Sequence, residues 1–106
     1  MASGRLGVAR LAADHNTVVY TVPPDTLATV NICVLNLGSS DAQVQVAIAT
    51  TDVPGAGDYI EAGVVPRNGG VLERFGVMVG GGERIIVRAS VDQMVDVRVH
   101  GIEEVA

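Results

Sequence analysis

Turn-forming residues occur at short intervals along this chain, mainly glycine, proline, asparagine and aspartate. Their spacing limits the length of any helix or strand that the chain can form. The runs between them are short and mostly alternate apolar with polar side chains, which is the period of strands with one buried face. No run shows the period of an amphipathic helix. About eight such runs, spaced by roughly 8–12 residues, are typical of sandwiches and jelly rolls. We therefore predict one all-β domain, an antiparallel β-sandwich that is Ig-like or jelly-roll-like.

The richest predicted strand covers residues 27–37 and is apolar on both faces. Every second residue from Val30 faces the core, and the opposite face carries Cys33, Leu35 and Leu37. A strand with two apolar faces is central in its sheet or is covered on its outer side. Since exposed apolar patches usually mark contacts, we expect Leu35 and Leu37 to lie in a contact with another subunit.

A second clear strand covers residues 16–22, where alternation places Val18 on the same face as Tyr20. It stops at Pro23, because proline fixes φ and cannot donate to a strand ladder. Asn68 and Gly69 form the dipeptide that most strongly predicts a tight hairpin turn. Predicted strands and turns therefore alternate to the end of the chain, and the sequence shows no linker or internal repeat.

The division of the chain that we predict is an N-terminal arm or edge strand over 1–14, followed by the sandwich over 15–106. Leu6, Val8 and Arg10 share one parity in the first segment, which makes them candidate contacts with a neighbouring subunit. If the segment is a docking arm, deleting most of it should leave the fold intact and abolish binding to a partner.

The charged residues suggest a second candidate contact. All seven basic residues are arginines, which are favoured at interfaces for their planar, multi-donor head. Several of them are predicted to point away from the core on neighbouring strands, beside two acids. They form either cross-strand ion pairs that keep one face solvated or a face that contacts a partner subunit. The candidates are Arg74, Arg84, Arg88 and Arg98, with Glu73 and Asp96.

The composition argues against several classes of function. A formal net charge of −5 disfavours a nucleic-acid-binding protein, which needs a basic face to neutralise phosphates. No apolar stretch approaches the roughly 18 residues of a membrane helix, and the start lacks the apolar core of a signal peptide. The single cysteine excludes an intrachain disulfide. We expect a protein made in a reducing cytoplasm, without a membrane or nucleic-acid partner.

Few residues invite a catalytic or metal-binding interpretation. Cys33 lies among apolar neighbours, where a thiol is usually inert, although an intermolecular disulfide is an alternative. His15 and His100 lie outside any metal-ligand spacing, and a pH-sensitive subunit contact is their alternative role. The acidic loop 52–58 does not match a calcium-binding pattern. We expect no catalytic residue, metal or cofactor.

Several stretches resemble small all-β virion accessory proteins of tailed bacteriophages, over roughly residues 16–104. The resemblance implies a sandwich fold and a virion component that is present in many copies and has no enzymatic activity. The stretches are Thr17-Val-Val-Tyr-Thr-Val-Pro, Ala28-Thr-Val-Asn-Ile, Val34-Leu-Asn-Leu-Gly, Asp58-Tyr-Ile-Glu, Gly70-Val-Leu-Glu-Arg, Gly82-Glu-Arg and Val97-Arg-Val-His-Gly-Ile-Glu-Glu.

The resulting hypothesis is a protein made in the host bacterial cytoplasm that decorates or cements a phage capsid. Its partners would be copies of itself, with a trimer favoured, and the lattice of a major capsid or tail protein. Many weak contacts would act together through avidity. Alternatives are a tail or neck accessory protein, or a module that binds a host glycan or receptor. A glycan site would need exposed aromatics, and only Tyr20, Tyr59 and Phe75 are available.

Overall fold

The computed structural model describes residues 2–106, in which eight strands and no helix form a single β-sandwich. The described part of the chain therefore contains no helix that is long and apolar enough to cross a membrane. The strands are β1 (Ser3–Arg10), β2 (Thr17–Thr21), β3 (Thr26–Asn36), β4 (Ala42–Ala49), β5 (Tyr59–Val65), β6 (Gly70–Gly80), β7 (Arg84–Ala89) and β8 (Val95–Val105).

The strands pair as a nested set of antiparallel ladders: β4 with β5, β3 with β6, β2 with β7 and β1 with β8. The chain thus resembles one long hairpin that turns between β4 and β5. It is rolled up so that β8 also pairs with β3, and β7 with β4. The result is sheet 1, in the order β1-β8-β3-β6, and sheet 2, in the order β2-β7-β4-β5. The predicted antiparallel sandwich is confirmed, and its strand order is that of a jelly roll.

The core lies between the two sheets and consists mainly of valine and isoleucine. Branched side chains pack well on a pleated surface, which compensates for a chain that has only three aromatic residues. The predicted inward faces of β3 and β8 are confirmed, since their alternate valines are fully buried. The largest fully buried side chains between the sheets are Leu11, Ile32, Ile85, Val22, Val30, Val34, Val44, Val46, Val65, Val79 and Val87.

A β-bulge in β1 overturns the predicted common face of Leu6, Val8 and Arg10. The register with β8 shifts between Arg5 and Gly7, so that Leu6 is the extra residue. A bulge changes the parity of everything beyond it. Leu6 consequently packs against the core, whereas Val8 is 54% exposed and Arg10 points outward beside it.

A second bulge in β2 overturns the predicted common face of Val18 and Tyr20. The register with β7 shifts between these two residues, and Val19 is the extra one. Val19 and Tyr20 are both buried, and Val18 pairs with Ile86 on the outer side of the sheet. The bulge brings the Val19 carbonyl oxygen against Gly7, where a Cβ atom would collide with it. Glycine is therefore required where β1 and β2 approach each other.

The segment predicted as an arm or edge strand is edge strand β1 from Ser3 to Arg10. Leu11 follows it with no exposed surface, and its amide donates a 2.9 Å hydrogen bond to the Val95 carbonyl. We therefore expect deletion of this segment to destabilise the fold, in contrast to the outcome expected of a docking arm. Its removal would open the β8 edge and leave a cavity in the core.

Asn36 organises one end of the sandwich and was not singled out by the sequence. Its side chain is fully buried at the end of β3. The Nδ2 group donates to the carbonyls of Ser40, at 2.9 Å, and Val65, at 3.1 Å, and Oδ1 accepts from the Gly38 amide at 2.9 Å. One amide thus holds the β3–β4 turn against the end of β5. A buried amide needs such partners, because an unpaired polar group costs free energy.

We expect Leu11→Ala to lower the free energy of unfolding by about 2–5 kcal/mol, the usual loss for a fully buried leucine. The matched control is Val8→Ala in the same segment, whose exposed side chain should contribute no more than about 0.5 kcal/mol. Urea unfolding of dilute protein measures the free energy of unfolding of both variants. Equal, small losses would mean that the segment is a detachable arm after all.

We expect Asn36→Ala to lower the free energy of unfolding by about 1–3 kcal/mol, because buried groups at three backbone positions lose their partner. Asn36→Asp should also destabilise, since the carboxylate cannot donate to the two carbonyls. Gln45→Ala, at an exposed position of β4, is the control and should change stability by less than about 0.5 kcal/mol. Chemical denaturation is the measurement, and a neutral Asn36→Asp would contradict the assigned donor role.

Candidate functional site

The outer face of sheet 1 combines an apolar central strand with charged neighbours. Leu27, Cys33 and Leu35 of β3 point outward and are half-buried, whereas the flanking strands carry more exposed apolar side chains. Leu37 extends the same row beyond β3, and its backbone N–H donates a hydrogen bond to the Met94 carbonyl. The exposed large apolar residues on this sheet 1 face are Val8 (54%), Leu37 (50%), Val71 (47%), Met78 (64%), Met94 (48%) and Ile102 (48%).

Arg10 and Asp96 form a two-pronged ion pair at the β1 edge of this face. The guanidinium donates from Nε to Oδ1 at 2.7 Å and from Nη2 to Oδ2 at 2.9 Å. The hydrogen bond from Arg10 lowers the pKa of Asp96, and the same bond raises the pKa of Arg10. Both side chains are substantially exposed, at 52% and 35%, so the pair adds little stability. Arg10 is therefore held in place by its own chain.

Cys33 lies midway between two opposite charges. On β3 it pairs with Arg98 of β8 on one side and with Glu73 of β6 on the other. Burial raises the pKa of the Cys33 thiol, Glu73 raises it further, and Arg98 opposes that rise. The thiol is thus protonated at neutral pH, the opposite of the activated thiolate that a nucleophile requires. These residues line a shallow hollow of about 340 Å³ that also includes His100.

The predicted cluster of charged residues is divided among three places. Arg98, Glu73 and Asp96 lie on the sheet 1 face, whereas Arg84 and Arg88 lie on the outer face of sheet 2. Arg74 pairs with the inward-facing Ile32, and its Nη1 reaches Glu61 of the other sheet at 3.0 Å. Of the two alternatives that the sequence left open, these residues therefore do not form one continuous charged face. A bulge in β6 near Gly76, whose φ is +67°, accounts for the inward turn of Arg74.

Arg84 is also engaged within the chain. Its Nε lies 3.2 Å from Asp52 Oδ1, and its Nη1 donates to the Thr50 carbonyl. These contacts hold the loop that follows β4 against β7. Arg88, the last residue of the outer row of β7, has no ion pair among residues 2–106. Of the two arginines on the outer face of sheet 2, Arg88 is the one whose head can contact a partner.

Arg88 lies at the boundary of two hollows on the outer face of sheet 2, which we call the sheet 2 face. The first hollow crosses β5, β4 and β7 and has a volume of about 420 Å³. Small residues at Ala62 and Gly63 form its floor, and Gln43 and Gln45 provide amide groups. The second hollow, of about 430 Å³, extends past Arg88 to His15, Val18 and Val53.

A hydrogen bond between the sheets also escaped the sequence analysis. Tyr20 of β2 donates its hydroxyl proton to the Glu103 carboxylate of β8. Burial of the ring raises the pKa of Tyr20 well above its ordinary value, and the bond to Glu103 raises it further. The bond ties the edge of sheet 2 to sheet 1. Sequence reasoning could identify Tyr20 as buried but could not identify its partner 83 positions away.

The remaining polar candidates do not form a cluster. His15 and His100 lie on different sheets' surfaces, and the Nδ1 atom of His100 is buried without a hydrogen-bond partner in the described chain. No three histidine, cysteine or acidic side chains among residues 2–106 are placed to hold a metal ion. The two histidines therefore do not share a site with each other.

A scan against protein-family models and searches of curated proteins and of solved structures find no match to this chain.

We expect iodoacetamide to alkylate Cys33 with a pH midpoint above that of a free cysteine, because burial and Glu73 disfavour the thiolate. Glu73→Gln should lower the midpoint, and Arg98→Gln should raise it. The rate of alkylation is measured by mass spectrometry as a function of pH in dilute protein, with urea-unfolded protein as the control. A midpoint at or below that of the unfolded chain would show that the thiol is activated.

Proposed function

We propose that this protein is a non-enzymatic structural component of a tailed-bacteriophage virion, made in the host cytoplasm and bound in many copies to the outer surface of the capsid. A tail or neck position is the alternative location on the particle. The resemblance of residues 16–104 to virion accessory proteins supports this role. Jelly rolls are common among viral capsid domains, although the fold alone does not determine function.

The observation that carries the proposal is that large apolar side chains are exposed on both outer faces, outside a complete core. Small soluble domains rarely expose a large contiguous apolar patch unless it contacts something. Here Ile102, Met78 and Val71 are exposed on one outer face, and Tyr59 and Val64 are exposed on the other. Two contact faces on opposite sides of a sandwich suit a module that binds neighbours within an array.

The sheet 2 face is the one that we assign to the capsid lattice. Arg88 lies within it without an ion pair among residues 2–106, beside amide groups of Gln43 and Gln45 and the exposed Val64. Arginine is among the residues that are enriched in protein interfaces. Each contact would be weak, and the number of copies would supply the avidity.

A second candidate function, binding of a host glycan, is favoured by one feature of the same face. The hollow of about 420 Å³ is lined by side-chain amides, Arg88 and Asp14, which can pair with sugar hydroxyls. Tyr59 is 46% exposed and pairs with Ala47 on this sheet, so an aromatic ring lies on the same side. A glycan array probed with the purified protein separates this candidate from the lattice role.

We expect Arg88→Glu to reduce co-sedimentation with particles that lack this protein by about tenfold or more, because it reverses the charge of the one arginine on the sheet 2 face that has no ion pair within residues 2–106. Arg67→Glu is the matched control. It makes the same change at an exposed loop position and should bind like the unmodified protein. Thermal melting confirms that both variants fold. Unchanged particle binding by Arg88→Glu, or a glycan signal that Arg88→Glu abolishes, would reject the lattice assignment.

A further inference from the structure

We propose that two copies of this chain pair face to face through the sheet 1 face, about a two-fold axis that runs along β3. The occupant of that face is thus a second copy of the same chain. The inference concerns the isolated protein and does not depend on a role in a virion. It rests on the strand register, which sets opposite charges in one row of the face, and large apolar side chains in a second row, at positions that the two-fold axis exchanges.

The charged row at the centre of the face supplies the first match. Arg98, Cys33 and Glu73 lie side by side on β8, β3 and β6. A two-fold axis along β3 exchanges the strands on either side of it. Arg98 therefore faces Glu73 of the second copy, and Glu73 faces the second Arg98. Both side chains are exposed, and neither has an ion pair within residues 2–106.

An apolar row supplies a second, independent match. Ile102, Thr29 and Met78 lie side by side on the same three strands. The same rotation places Ile102 against Met78 of the second copy. These two side chains are 48% and 64% exposed in the single chain, and the pairing would cover both. The same two-fold rotation thus pairs the opposite charges with each other and covers the two large apolar side chains.

Residues on the axis meet their own counterparts, and none of them carries a charge. Leu27, Cys33 and Leu35 are the half-buried apolar residues of β3 that point outward. An axis perpendicular to the strands would instead set Arg98 against its own copy and Glu73 likewise, which is repulsive. The axis along β3 also agrees with the aligned packing of twisted sheets, whose strands lie within about 30° of each other.

The size of the face fits a weak dimer. The axis along β3 sets β8, β3 and β6 of one copy against β6, β3 and β8 of the other, and it leaves β1 outside the contact. Three strands at about 4.8 Å spacing and up to 11 residues at about 3.3 Å per residue span roughly 500 Å². Two such faces bury about 1,000 Å² in total, at the lower limit of specific interfaces. A two-fold pair therefore accounts for the exposed apolar surface more directly than the trimer favoured by the sequence.

The same geometry decides what Cys33 does in the pair. Sheets packed face to face lie about 10 Å apart, whereas a disulfide needs Cα atoms within about 7 Å. The two thiols are therefore opposed on the axis without forming the intermolecular disulfide considered above. Because Cys33 is the only cysteine, any thiol cross-link between chains must join the two copies at this position.

The test exchanges charges between copies. Arg98→Glu places two pairs of acids in contact, and Glu73→Arg places two pairs of arginines in contact. Each variant alone should dimerise with a Kd raised by about 100-fold or more. A mixture of the two should form a heterodimer of near-normal affinity, because the acid introduced into one chain then meets the arginine introduced into the other.

Sedimentation equilibrium and native mass spectrometry measure the proportions of monomer, homodimer and heterodimer. Thermal melting shows that each variant is folded. An ion pair within one chain could not produce rescue on mixing, so the mixture separates the two explanations. Single variants that remain dimers, a mixture that stays monomeric, or an unmodified protein that is monomeric or trimeric would overturn the proposal. Particle binding is not measured in this experiment. The outcome for the dimer is therefore independent of whether the protein is a virion component.

Cross-linking gives a second measurement on the unmodified chain. Dibromobimane, which joins two nearby thiols, should yield a covalent dimer from the folded protein and little from the urea-unfolded protein. Oxidation with a disulfide-promoting reagent should yield far less dimer, because the Cα atoms are too far apart. Absence of the bimane-linked dimer at concentrations where sedimentation shows dimers would place the interface elsewhere.

Discussion

The whole molecule depends on a core of β-branched side chains packed between two sheets. The chain contains no tryptophan and one phenylalanine, and Phe75 is 65% exposed, so large aromatic rings contribute little to the core. Valine and isoleucine must supply the buried area through close interdigitation. That requirement commits alternate residues of β3, β4, β7 and β8 to the interior. It leaves the other residues of each strand to solvent or to a partner.

The outer faces are a consequence of that division. A central strand such as β3 has neighbours on both sides, so its outward residues are partly covered even in a single chain. Leucine at positions 27 and 35 would be unnecessary for the core, which the inward valines already fill. Their presence is consistent with a face that another molecule covers. The ion pair of Arg10 with Asp96 lies at the β1 edge of this face. Because both charges are already paired within the chain, we expect the contact with another molecule to end before this edge.

Local irregularities determine which residues reach those faces. Bulges in β1, β2 and β6 each change the parity of a strand, and a parity change transfers side chains between core and surface. Leu6 joins the core, Val18 leaves the predicted inner face, and Arg74 turns toward Glu61 in the other sheet. A bulge leaves little trace in a pattern of apolar and polar letters. Gly76, with its positive φ, is one signal that could have been used.

The sequence by itself determined the fold class and the inward faces of β3 and β8. These follow from local chemistry: turn residues end strands, and a period of two separates one face from the other. Only the tertiary structure decided the jelly-roll order, the bond of Tyr20 to Glu103, the role of Asn36 and the rows that set Arg98 and Glu73 on either side of Cys33. Each of these joins residues far apart in the chain, and strand pairing is chosen by the packing of the complete sandwich, which no single segment encodes.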